Sequence, residues 1–254
     1  MFYQEEKFIN QFVQLIKECH EIILEIYNTD FEVIEKEDKS PLTLADQKCN
    51  QHICQFLKKF DDSILIISEE NKNLDYEKRK EYDWCWLVDP IDGTKEFVKK
   101  NGNFTVNIGL CYKSVPVFGI VSIPVSGDIY YGIKGIGSFK LVNNNKSKLN
   151  IKMKDFEQEK LRIVASSSHI NEKTQNFINN FNNPEIVSVG SSIKLLYIAD
   201  DKADVYPRLG LTSEWDTCAA HAVVKYAGGR VFNLEEKELQ YNKKNILNPY
   251  FIVY

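Results

Sequence analysis

The chain has 254 residues, 43% hydrophobic and 12% aromatic, which supplies enough apolar material for a full core and excludes a disordered chain. A formal net charge of −4 and a pI of about 5.7 leave no global basic field, so duplex nucleic acid is not an expected partner. The six cysteines contain no C-x-x-C pair and there are four histidines, which excludes a structural zinc site on spacing.

No stretch approaches the ~20 apolar residues of a membrane span. The first residues run into an amphipathic pattern rather than a signal sequence. Disulfides are therefore not expected and a cytoplasmic setting is, with peripheral contact at the inner membrane face left open. The length suits one large domain or two packed lobes.

In chain order, residues 4–27 place Phe8, Phe12, Leu15, Ile16, Cys19, Ile22, Ile23 and Ile26 at helical spacing. The charged stretch Glu32 to Lys39 reads as a mobile loop or short edge strand. Thr43 caps a second helix predicted to run to about Phe60. Ile64 to Ile67 is a short buried strand ending at Ser68-Glu69-Glu70. Lys72 to Asp83 is polar and reads as solvated, and Trp84 to Val88 is the next strand.

From Phe104 the pattern turns strongly β. Strands are expected at Phe104 to Tyr112, Val117 to Pro124, Ile129 to Ile133 and Gly137 to Val142, with a loop tip at 143–146. Strands then alternate with helices: strands near Leu161 to Ala165, Ile186 to Val189 and Ala203 to Tyr206, and helices at Glu172 to Phe181, Ser192 to Asp200 and Glu214 to Tyr226. Val231 to Leu234 and Tyr250 to Val253 close the chain as strands. This divides it into an N-terminal α+β half, 1–150, carrying most of the metal ligands, and a C-terminal α/β half, 151–254, completing the site within one compact unit.

The segment Asp89-Pro90-Ile91-Asp92-Gly93-Thr94 follows an apolar strand. Carboxylates are hard oxygen ligands suited to Mg²⁺. Pro90 fixes the backbone between them, and Gly93 lets the chain turn closely past a ligand. A helix opening at Thr94 or Lys95 aims free N–H groups at the same point, which suits phosphate. Alone, an Asp-x-x-Asp pair is more often a turn at a strand end. Glu69 alone reads as solvated surface, Asp216 as a macrodipole-stabilising acid, and Asp46 as part of a helix cap. The metal argument rests on the set: if the strands before Glu69 and Asp89 are neighbours, carboxylates crowd at one sheet edge and a cation resolves the repulsion.

In the second half Ser166-Ser167-Ser168-His169, Gly190-Ser191-Ser192-Ile193-Lys194 and Arg208 each follow a strand. One Lys or Arg is usually surface. Groups at the ends of successive elements make a phosphate-binding wall. His20, His52 and His221 fall in helical patterns and read as packing or surface residues, and the cysteines on helical faces read as core.

With these motifs in order, the chain resembles the inositol monophosphatase superfamily of Mg²⁺-dependent, lithium-sensitive phosphatases. Asp89-Pro90-Ile91-Asp92-Gly93-Thr94 is similar to its signature. Glu69-Glu70 and Glu214-Trp215-Asp216-Thr217 are similar to its flanking motifs. Lys95-Glu96-Phe97, Asn101-Gly102 and Phe104-Thr105-Val106-Asn107-Ile108 resemble the 3′(2′),5′-bisphosphate nucleotidase branch, of CysQ type.

The resemblance implies an α/β (α+β) fold, a layered α-β-α-β-α sandwich. It implies two to three Mg²⁺ ions, held by Glu69, Asp89, the Ile91 carbonyl, Asp92 and Asp216. Thr94, oriented by Asp46, would activate the attacking water. Gly93 and Thr94 amides would hold the phosphate being cleaved. Ser191, Lys194, Arg208 and His169 would grip the nucleotide, with Asp216 at the edge of the substrate site. The implied partner is a small phosphorylated nucleotide, 3′-phosphoadenosine 5′-phosphate, hydrolysed to AMP and phosphate in connection with sulfate assimilation by a monomer or homodimer. Glu214 is open as a residue that tunes substrate choice. An inositol or sugar phosphatase on the same scaffold, or a non-catalytic nucleotide- or metal-binding protein, stands as the alternative.

Overall fold

The computed structural model describes residues 1–35, 41–71, 74–152, 156, 160–165 and 170–254. The first amphipathic pattern forms α1 (Glu6–Tyr27), which buries Phe8, Phe12, Leu15, Ile16, Cys19 and Ile23. The charged stretch contributes β1 (Val33–Glu35), paired antiparallel with β2 (Pro41–Thr43); residues 36–40 lie outside the described residues. Thr43 is the N-cap of α2 (Leu44–Phe60), which packs beside α1.

A seven-stranded sheet follows: β3 (Leu65–Ser68), β4 (Trp84–Asp92), β5 (Thr105–Tyr112), β6 (Val115–Ile123), β7 (Asp128–Ile133), β8 (Gly137–Val142) and β9 (Asn145–Leu149), in that spatial order. β3 and β4 are parallel, with Ser68 opposite Val88, so Glu69 and Asp89 emerge at the same edge. All other neighbours are antiparallel.

Several expectations shift. The β4 strand continues through Asp92, with a register shift between Asp89 and Asp92; a bulge adds backbone that re-aims side chains at a sheet edge. Within the polar stretch before it, Tyr76–Arg79 forms a short helix, α3, and Arg79 is buried. Its guanidinium donates to Leu74 O, Asn242 Oδ1 and Lys243 O, which supplies the partners a buried charge requires. Of the expected 143–146 loop tip, only Asn143 and Asn144 form the turn, and Asn145 and Lys146 already pair in β9. Asn143 and Asn144 take positive φ, which Asn tolerates, and β9 begins at once.

In the second half β10 (Arg162–Ala165) pairs in parallel with β11 (Glu185–Ser188), across α5 (Glu172–Ile178). Then α6 (Ile193–Ala199), β12 (Tyr206–Arg208), α7 (Glu214–Tyr226), β13 (Val231–Asn233) and β14 (Phe251–Val253) complete the chain. Strands β12, β14 and β13 form an antiparallel sheet joined to β10 by a bridge between Ile163 and Val205. Arg208 is thus the last residue of its strand rather than a residue beyond it, and α5 stops three residues before Phe181.

Helices α1 and α2 cover one face of the large sheet, α6 and α7 separate it from the second sheet, and α5 packs against β12. This is the layered α-β-α-β-α architecture. Helix α7 belongs to the second half of the chain yet lies on the sheet of the first, so the two halves share a core.

A row of glycines sets the depth of that contact. Gly109, Gly119 and Gly132 are cross-strand neighbours on β5, β6 and β7. A Cβ at Gly119 would sit 2.1 Å from Ala219 O, one at Gly132 2.4 Å from Ala222 O, and one at Gly109 2.5 Å from Cys218 Sγ. The α7 backbone therefore lies directly on the sheet backbone, and Asp216 at its first turn comes down to the level of the β4 edge.

Candidate active site

The carboxylates collect where β3, β4 and α7 end. Glu69 N donates to Val88 O at 3.1 Å, which sets Glu69 beside the β4 edge. The turn is tied to α2: Ser68 Oγ donates to Asn50 Oδ1 at 2.7 Å, and Asn50 Nδ2 to Asn71 Oδ1 at 2.9 Å. Asp89 is buried, and its Oδ1 accepts from Ile91 N at 3.0 Å. Asp92 Oδ2 accepts from Ser191 Oγ at 2.6 Å and from Ser192 N. Asp216 Oδ2 accepts from Ser213 N at 2.9 Å, the cap of α7.

These groups feel one another strongly. Burial, then the charges of Glu69, Asp92, Asp216 and Asp46, hold the Asp89 carboxyl well above the usual carboxylate range. Burial, then Asp92, pushes Asp216 up to about 8, with Ser213 N and Arg208 opposing. Among the described residues no three His, Cys, Asp or Glu side chains close into a tight cage. Asp89, Asp92 and Asp216 each accept from a donor of their own, Ile91 N, Ser192 N and Ser213 N, which orients the three carboxylates at the strand and helix ends. The donor set is all hard oxygen, partly desolvated and mutually repelling, which fits a hard divalent cation such as Mg²⁺.

Asp46 has two duties. One oxygen accepts from Thr43 N at 2.7 Å in the α2 cap, and the other accepts from Thr94 Oγ1 at 3.3 Å. Thr94 Oγ1 also lies 3.2 Å from Ile91 O. Thr94 opens α4 (Thr94–Val98) behind Gly93, whose φ of +94° only glycine takes readily.

The basic wall faces this edge across a cavity of about 450 Å³ lined by Asp92, Gly93, Ser191, Lys194, Arg208 and Asp216 among others. Lys194 projects from α6 and is 6% exposed; burial, then Arg208, pulls its pKa down to about 8 against the attraction of Asp92. Arg208 Nη2 donates to Leu211 O at 2.9 Å, and its Nε is buried without a partner among the described residues. A wider groove of about 610 Å³ along α1 is lined by none of these residues.

Every expected site residue within the described range is at this edge or wall; His169, with Ser166 to Ser168, lies outside the described residues. Glu214 is the exception among the motif residues. It is fully buried with its carboxylate turned away from the cavity, accepting from Asn242 N, Lys243 N at 3.0 Å and Lys243 Nζ. Its position against the 242–243 loop removes it as a substrate-tuning group.

Ser192 in the 190–194 segment and Thr105 and Asn107 in the branch-like motif were not expected as site residues. Thr105 Oγ1 lies 2.7 Å from Ser191 Oγ and 2.8 Å from Ser192 Oγ, and Ser192 Oγ donates to Asn107 Oδ1 at 2.9 Å. This buried network holds Ser191, at φ +56°, in the turn that presents Ser192 N to Asp92. The signal was available: Thr105 and Asn107 are polar positions alternating with Val106 and Ile108 in a strand buried on both faces.

Residues 4–250 match the Inositol monophosphatase family. The 3′(2′),5′-bisphosphate nucleotidase CysQ of Salmonella typhimurium is 35% identical over 248 residues, spanning 96% of this chain and 98% of that protein. Among solved structures, CysQ from Bacteroides thetaiotaomicron, described as a bacterial member of the inositol monophosphatase family, superposes with a TM-score of 0.84 at 37% identity, covering 95% of this chain and 94% of the other. An IMPase/NADP phosphatase complexed with Mg²⁺ and phosphate shares the fold at a TM-score of 0.81 and 18% identity, over 98% and 90% of the two chains. The match over residues 4–250 and the near full-length likeness to CysQ show that this chain belongs to the inositol monophosphatase family.

Proposed function

We propose that the protein is a Mg²⁺-dependent 3′(2′),5′-bisphosphate nucleotidase that removes the 3′-phosphate of 3′-phosphoadenosine 5′-phosphate, giving AMP and phosphate. The observation that carries the reading is the pairing of a carboxylate edge with a separate cationic wall, Lys194 and Arg208, across one cavity. A single phosphate needs only the first; a substrate with a second, remote phosphate uses both. The CysQ relatives, named for this activity, support the same substrate class.

Glu69, Asp89, the Ile91 carbonyl, Asp92 and Asp216 are the proposed metal ligands. Bound Mg²⁺ supplies Lewis-acid charge that lowers the pKa of the attacking water and stabilises the leaving 3′-oxygen. Thr94, its hydroxyl proton directed to Asp46, keeps oxygen lone pairs to accept from that water and orient it in line with phosphorus. The Gly93 and Thr94 amides, at the start of α4, would donate to the phosphate being cleaved. Lys194 and Arg208 hold the remote phosphate by charge-assisted hydrogen bonds, beside Ser191. Phosphoryl transfer needs positioning and neutralisation more than covalent chemistry, and these residues supply both.

The test is phosphate release from 3′-phosphoadenosine 5′-phosphate and from inositol 1-phosphate, each with Mg²⁺ and with EDTA. Mg²⁺-dependent release strongly favouring the nucleotide is expected. Preference for inositol phosphate would reassign Lys194 and Arg208, and release in EDTA would remove the metal ligands. We further propose that Li⁺ inhibits by competing at the Asp89, Asp92 and Asp216 position, and that the activity serves sulfate assimilation. Unchanged turnover in millimolar lithium would remove the first of these.

A further inference from the structure

We infer that Asn171 is a positioning residue for Arg208, and through it for recognition of the substrate's remote phosphate. The inference rests on the nucleotidase reading and deepens it.

Arg208 ends β12, and the chain then runs through Leu209 to Thr212 without regular structure before α7. The guanidinium is anchored to this segment, because Nη2 donates to Leu211 O at 2.9 Å. The backbone of Arg208 is fixed by its pairing with Phe251, and this bond ties the far end of its side chain to the segment. Its Nε–H is buried with no partner among the described residues, although buried donors are normally satisfied. Beside it the ammonium of Lys194, on a side chain more than nine-tenths buried, lines the same cavity. The two cationic side chains thus line one cavity, close enough that Arg208 lowers the Lys194 pKa.

The segment is held by two asparagines from elsewhere in the fold. At its far end Asn248 N donates to Thr212 O at 2.8 Å, and Asn248 Nδ2 to Thr212 Oγ1 at 3.2 Å. At its near end Asn171 Nδ2 donates to Leu209 O at 2.8 Å. The orientation of that amide is unambiguous, because Asn171 Oδ1 accepts from Thr174 N at 2.8 Å as the N-cap of α5. One side chain therefore caps α5 with its oxygen and fixes the residue after Arg208 with its nitrogen. Helix capping needs only the oxygen, which Ser supplies equally well. The nitrogen has a separate duty.

The experiment separates the two. Wild type and Asn171→Ser are assayed on 3′-phosphoadenosine 5′-phosphate and on 3′-AMP, which lacks the remote phosphate, with thermal unfolding as the control for folding. Wild type is expected to prefer the bisphosphate. In Asn171→Ser the ratio of kcat/KM for bisphosphate over monophosphate falls about tenfold, with the loss in KM rather than kcat. Asn171→Gly, also a mild change at an N-cap, shows the same loss. In an Arg208→Lys background, Asn171→Ser costs little more, because the two changes remove one interaction. A wild type that does not discriminate overturns the nucleotidase reading itself. A discriminating wild type whose ratio survives Asn171→Ser overturns the role of Asn171 alone, as do additive effects in the double variant.

Discussion

Thr94 donates its hydroxyl to Asp46 Oδ1 at 3.3 Å, across 48 residues of sequence, while the other Asp46 oxygen caps α2 through Thr43. The residue that starts a helix on one side of the sheet edge thereby orients the candidate water-activating hydroxyl on the other. Asp46→Asn is expected to lower kcat about 10²- to 10³-fold with little change in KM, because it weakens an acceptor of the Thr94 proton without touching the cationic wall. Steady-state kinetics check this, and a KM effect as large as the kcat effect would place Asp46 in substrate binding instead.

Asp89 is buried among carboxylates that disfavour its charge. Asp89→Asn is expected to abolish Mg²⁺-dependent turnover and to raise the melting temperature of the metal-free protein. An amide oxygen still accepts from Ile91 N while the repulsion is removed. Calorimetry in EDTA reads this directly; a fall in Tm would show that the charge itself supports the fold.

The same crowding sets a pH dependence. Asp216 holds its proton up to about 8 in the fold, whereas the unfolded chain releases it near pH 4. Between these values the native state binds more protons, so metal-free stability falls as pH rises. His20, brought down to about 4 by burial, and His221, also lowered by burial, act the opposite way below about 6.5. Lys194, pulled down to about 8 by burial, begins to lose its proton in the fold near that pH and opposes the trend. The clean window is therefore about pH 6.5 to 7. Melting in EDTA should drop across it, and Mg²⁺ should raise Tm more at its upper end than at its lower end. A Tm in EDTA that climbs over this range would contradict the clustering of the carboxylates.

Gly119 faces Ala219 O so closely that an added methyl would overlap backbone. Gly119→Ala should destabilise the protein by about 1–3 kcal/mol or more, because neither β6 nor α7 can yield locally. Since α7 carries Asp216, the soluble variant should also bind Mg²⁺ more weakly. Denaturant unfolding and Mg²⁺ titration report the two effects, and wild-type values in both would refute the close approach.

The order of elements, the amphipathic α1 and α2, the β run from Thr105 and the motif carrying Asp89 and Asp92 were all legible in sequence, because periodicity and turn chemistry are local. Several boundaries were not. The continuation of β4 through Asp92 depends on β5 lying alongside with a register shift. The β9 strand is polar and mostly exposed, and it is a strand only because a two-residue asparagine turn folds it back on β8.

The site divides the same way. The residue types of the catalytic edge, hard carboxylates beside a Thr and a Gly, follow from the chain by itself, and so does the resemblance they carry. Only the tertiary structure decided which of them meet. It brought Asp216 down to the β4 edge through three glycines contributed by other strands, turned Glu214 away onto Lys243, and bound Asp92 to Ser192 through a network built on Thr105 and Asn107. It also gave Asn171 a partner at Leu209. Chemistry is a property of residue types and survives in a string of letters, whereas the direction of a side chain is set by what packs against it from distant parts of the chain.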